Sequence, residues 1–76
     1  MSKVQSKPAV RAVLAANVRR LRTELKISQE GLGEEAGFHR TYVSQVERGV
    51  ANITIDNLEL LALRLGVLPH QLLEPA

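Results

Sequence analysis

A chain of 76 residues makes one small domain, long enough to fold alone and too short to add a ligand-sensing domain, so no small-molecule ligand is expected. With no cysteine there is no disulfide framework and no thiolate site. No apolar run approaches the length of a membrane span, and the opening MSKVQSKP lacks the apolar core of a signal peptide. The expectation is a soluble, cytoplasmic protein without a membrane partner.

An apolar fraction of 45% with one Phe, one Tyr and no Trp implies a core of Leu, Val, Ile and Ala, a composition that favours helices over sheet. The net charge of +2 is unevenly placed. Residues 1–48 hold nine of the ten bases and five of the eight acids, a net +4; residues 49–76 carry one base and three acids, a net −2. A basic half suits a phosphate surface, although a solvated helix face has the same composition.

Residues 1–8 show no period and end at Pro8, which reads as a mobile arm ahead of a single domain over residues 9–74. From Ala9 to about Lys26, Val10, Leu14, Val18, Leu21 and Leu25 recur at the helical period, giving an amphipathic helix with that stripe buried. Ser28 is placed to cap a second helix that buries Leu32 and Ala36 and ends at a left-handed Gly37. Gly33 faces the turn, where lacking a Cβ permits close approach of the next helix. A third helix runs from His39 to Arg48, with Gly49 at its end. Thr54 caps a fourth, Ile55 to Leu65, with Ile55, Leu58, Leu61, Ala62 and Leu65 inward and Gly66 closing it. Pro69 opens a last short helix that carries Leu72 and Leu73. The fold class is therefore all-α, five helices with short connections and no internal repeat.

Gln29 to Gly49 thus forms a helix, a tight turn and a second helix, a helix-turn-helix. Its second helix presents His39, Arg40, Thr41, Ser44 and Gln45, side chains suited to base edges in a major groove, while Val43 and Val46 anchor the opposite side. Arg40 has the fork that pairs with guanine, and Gln45 the amide that pairs with adenine. His39 reads equally as a phosphate contact or as a half-exposed cap. The two histidines are far apart and no metal-ligand spacing occurs, so neither metal nor cofactor is implied. No nucleophile–base pair, carboxylate cluster or Gly-rich phosphate loop supports an enzyme.

Ser28-Gln29-Glu30-x-Leu32-x(4)-Gly37, followed by Thr41-Tyr42-Val43-Ser44-x-Val46-Glu47-Arg48-Gly49, resembles the lambda-repressor-like Cro/C1 (XRE) family of DNA-binding domains across about residues 10 to 73. His39-Arg40-Thr41-Tyr42 and Asn52-Ile53-Thr54 are most similar to controller proteins of restriction-modification systems. The resemblance implies that Arg40, Thr41, Ser44 and Gln45 face bases. It implies that Gln29 binds a phosphate and braces the reading helix, and that Tyr42 and Asn52 contact the DNA backbone or adjust the fit, although Tyr42, the one Tyr, reads equally as part of the core. It also implies an ion pair between Arg22 and Glu47 that ties the first helix to the third. Three positions depart from the family pattern: Gly33 replaces an Ala, Lys26 stands where Gly commonly ends the first helix, and Ala51 replaces a basic residue.

A single module reads too few base pairs for selective control. Two copies about a two-fold axis, with half-sites about 34 Å apart, solve this. Leu60, Leu63, Leu68 and Leu72 exceed what the core needs and form a candidate self-complementary surface. The implied partners are double-stranded DNA and a second copy of the chain, with RNA polymerase as a further candidate that bound protein either recruits or blocks. An antitoxin-like protein, whose main partner is another protein docked on the leucine-rich end, is the alternative.

Overall fold

The computed structural model describes residues 9–76, and the arm expected over residues 1–8 lies outside them. The helices are α1 (Ala9–Glu24), α2 (Gln29–Ala36), α3 (Arg40–Glu47) and α4 (Ile55–Leu65). The last short helix that Pro69 opens is a 3-10 helix, Pro69–Leu73.

Each boundary has a local cause. The α1 helix stops at Glu24, short of Lys26, because the Ile27 amide turns back to donate to the Arg22 carbonyl at 3.2 Å. That reversal puts Lys26 at φ 60°, the left-handed conformation its place predicts. The Ser28 hydroxyl accepts from the Gly31 amide at 2.9 Å and starts α2. Gly37 ends it at φ 85°. At Gly33 the turn folds back so tightly that a Cβ would sit 2.5 Å from the Phe38 carbonyl oxygen. The backbone that approaches is thus the turn into α3. The Thr54 hydroxyl accepts from the Asn57 amide at 3.0 Å and begins α4, and Gly66 ends it at φ 77°.

The core joins Leu14 and Val18 of α1, Leu32 of α2, Val43 and Val46 of α3, and Leu58, Leu61, Ala62 and Leu65 of α4. Three residues expected inside are not. Val10, Leu25 and Ile55 are 59%, 50% and 79% exposed; Val10 and Ile55 lie in the first turns of α1 and α4, and Leu25 lies one residue past the end of α1. Leu72 is the reverse case. Expected on a dimer surface, it has no exposure and completes the core.

Its inward turn depends on Asn17, a polar side chain only 1% exposed in the middle of α1. The Asn17 amide donates to the Leu72 and Glu74 carbonyls, both at 2.8 Å, and its Oδ1 accepts from Arg20 at 3.1 Å. The C-terminal segment is thereby fastened to α1. Ala51, at the position of the missing basic residue, also belongs to the core cluster, so its side chain faces no partner.

Candidate nucleic-acid interface

The α3 helix is eight residues long and two-sided. Val43, Val46 and Glu47 are buried, whereas Arg40 and Thr41 are exposed and Ser44 and Gln45 half-exposed. Arg40, Thr41 and Ser44 line an open polar depression together with Gln29 from the first turn of α2. Gln45 faces outward on the same helix but does not line that depression. Residues from two helices thus meet where a base edge and a phosphate would be reached together.

What aims α3 is the carboxylate of Glu47, whose side chain has no exposure. Arg22 grips it with two bonds, Nε to Oε2 at 2.6 Å and Nη2 to Oε1 at 3.0 Å. Gln29 Nε2 donates to Oε1 at 3.0 Å, and Arg19 adds a longer contact at 3.5 Å. The remaining Arg22 nitrogen, Nη1, donates to the Ile27 carbonyl at 2.9 Å. One side chain of α3 is thus tied to α1, to the α1–α2 turn and to the start of α2. Burial alone would push the Glu47 carboxyl up; the hydrogen bonds from Arg22 and Gln29 outweigh it and hold the group below its ordinary value. The same bonds from Glu47 raise Arg22.

His39 caps α3, its Nδ1 accepting from the Thr41 amide at 3.0 Å. That bond decides the tautomer: Nδ1 is the acceptor, so Nε2 carries the proton and is the ring's donor. Cap and phosphate contact are therefore compatible roles for one ring. Tyr42 combines two roles in the same way. Its ring packs on Phe38 with centroids 4.9 Å apart, and its hydroxyl accepts from Asn57 Nδ2 at 3.1 Å. The exposed Asn52 accepts through Oδ1 from Arg11 Nη2, which leaves its amide donors available.

Sequence reasoning missed Asn57 and Arg11. Both are bound to residues 15 and 41 positions away, and nothing in their own neighbourhood marks them. Leu60, Leu63 and Leu68 are 38%, 64% and 59% exposed, and Leu73, 38% exposed, stands outward in place of Leu72.

The sequence profile of the family described as Helix-turn-helix (HTH_3) matches residues 18–72. A hypothetical transcription factor of Neisseria meningitidis serogroup B is 50% identical over 66 residues, which cover 87% of this chain and 62% of that protein. Control protein C.BamHI of Bacillus amyloliquefaciens is 41% identical over 66 residues, covering 86% of this chain and 82% of that one. Among solved structures, the restriction-modification controller protein C.AhdI of Aeromonas hydrophila superposes with a TM-score of 0.79 at 38% identity, over 84% of this chain and 97% of that one. SinR, a master regulator for biofilm formation solved in complex with DNA, gives 0.75 at 32% identity over 80% and 98%.

Proposed function

The chain belongs to the Cro/C1-type helix-turn-helix family of DNA-binding transcription regulators, and from that membership we propose that it binds a (pseudo)palindromic operator as a homodimer, in the manner of a restriction-modification controller. The observation that carries the reading is the convergence of Gln29, Arg40, Thr41 and Ser44 at one exposed depression above a fully buried Glu47.

In this reading Arg40 donates two bonds to guanine N7 and O6, and Gln45 pairs with adenine. Thr41 and Ser44 are short, so α3 can enter the groove closely. Gln29, the Nε2 of His39, the Tyr42 hydroxyl and the Asn52 amide donate to phosphates, which position the helix without specifying sequence. Gln29 is then both brace and anchor, because it already holds Glu47. Leu60, Leu63 and Leu68, joined by Leu73, supply an isologous apolar surface on α4 and the chain's end. Pairing there sets two reading helices about 34 Å apart, one turn of the duplex. RNA polymerase is the second partner wherever such an operator abuts a promoter.

Footprinting on DNA upstream of the chain's own gene tests the reading. The expected result is two protected half-sites related by a dyad. On that operator Arg40→Ala costs about 1–3 kcal/mol and relaxes preference at one base pair. Equal losses on operator and scrambled duplex would show that Arg40 reads no base.

A further inference from the structure

A second basic surface lies beside the reading helix, on α1. Arg11 and Arg19 border an open groove on that helix, and Arg48 meets them from the end of α3. Ala12, Ala15 and Ala16 also line it, so between Arg11 and Arg19 the lining residues of α1 carry nothing longer than a methyl group. A surface built that way lets a chain approach the helix closely between arginines.

Among the described residues the only acid in the wall is Glu47, and its oxygens are already held by Arg22 and Gln29. Arg20, on the far rim, is tied to Asn17 and lies 3.7 Å from Glu24. Arg19 touches Glu47 only at 3.5 Å and keeps 62% of its side chain exposed. Arg48 is exposed, and among the described residues Arg11 bonds only the neutral amide of Asn52. The groove is therefore positive and open.

Its position says what it faces. Arg48 and Gly49 belong both to the groove wall and to the turn that closes α3. Arg48 follows Thr41, Ser44 and Gln45 at helical spacing, so it lies on the same outward side of α3 as the base-reading set. Arg11 is bonded to Asn52, in the loop just after α3. The groove thus adjoins the reading face at the end of α3. Along α1, Arg11 and Arg19 are separated by about 12 Å, the axial rise of three to four nucleotides of one strand.

We infer that the α1 groove is a second DNA-backbone site, in which Arg11, Arg19 and Arg48 face phosphates of the strand flanking the base pairs read by α3. It rests on the function proposed above and extends the footprint beyond the bases that α3 touches. An acidic protein segment would satisfy the same charges, but Arg48 lies on the outward side of α3 that carries the base-reading set, and that adjacency favours DNA.

The test uses the full chain and fluorescence anisotropy on an operator duplex and a scrambled duplex, across a salt series. Wild type is compared with Arg11→Gln/Arg48→Gln, two exposed positions outside the Glu47 network, and with Arg40→Ala. The double variant should weaken both duplexes by the same factor and flatten the salt slope by about 1.8, or 0.9 for each phosphate lost. Ethylation interference should lose the flanking phosphates while base preference stays intact. An unchanged slope and an unchanged interference pattern overturn the inference. If, in addition, wild type but not the double variant binds a polyglutamate peptide, the groove belongs to an acidic protein partner and the inference falls equally. The two readings fail separately. Should wild type show no base preference, the operator reading is lost, while the slope on the scrambled duplex still decides the groove; should it bind no duplex, both fall.

Discussion

Replacing Glu47 with Gln is the sharpest perturbation of the reading helix, because it removes one charge and leaves the shape. The carboxylate is fully enclosed and Arg22 opposite it is only 14% exposed in its side chain, so water screens the pair little. Taking away one partner of such a pair leaves a charge without its counter-ion, a loss of about 3–5 kcal/mol, and the small opening beside Arg22 places this case near about 3. A domain of this length has about 4–11 kcal/mol of stability in total, so the variant forfeits a large part of it. The midpoint of thermal unfolding should drop by about 12–24 °C, read by circular dichroism at 222 nm alongside a urea titration. Arg22→Met/Glu47→Leu separates the causes. If the unpaired guanidinium is what costs, the double variant recovers most of the loss, less about 1 kcal/mol for the Ile27 carbonyl that Arg22 also serves. A double variant as unstable as Glu47→Gln alone would refute the reasoning and place the cost in packing. The stable double variant should still bind DNA poorly, since Gln29 has lost its tether to α3.

The same pair gives an acid limb to stability. Glu47 is held below its ordinary value in the folded chain, so its contribution is complete above the unfolded-state pKa of about 4.3 and disappears as pH falls through the lower folded value. Urea midpoints should therefore decline below about pH 4 in wild type, and less in Arg22→Met/Glu47→Leu. Asn17→Ala strips donors from two carbonyls of the chain's end and should cost about 1–3 kcal/mol, with amide exchange accelerating first over residues 71–74. If the chain pairs through the leucine surface as proposed, wild type should sediment as a dimer and Leu63→Arg, at a 64% exposed position, as a folded monomer by analytical ultracentrifugation. An unchanged dimer would move the interface elsewhere.

The parts of this fold that were readable in the sequence are those governed within one helical turn. Ser28, Gly37, Thr54 and Gly66 announce helix ends because the atoms they satisfy are close along the chain. Lys26 carries no such local signal: only the family resemblance, which puts Gly at its position, pointed to its left-handed backbone. Periodicity, by contrast, tells which side of a helix is apolar and not which of its turns are covered, which is why Val10, Leu25 and Ile55 turned out exposed. Leu72 faces inward because Asn17, 55 residues earlier, holds its carbonyl, a bond no local pattern announces. The division also bears on function. An eight-residue helix such as α3 is too short to persist alone, so its shape and aim are properties of what holds it. The residues that would touch DNA are legible as types in a short motif. Those that put them in place act across the chain: Tyr42 reaches Asn57 over 15 positions and Asn52 reaches Arg11 over 41, while Glu47 reaches Arg22 over 25, a pair that the family resemblance implied and the structure contains. A change at Arg22–Glu47 or at Tyr42–Asn57 should therefore alter how α3 meets DNA while leaving every base-facing side chain in the sequence untouched.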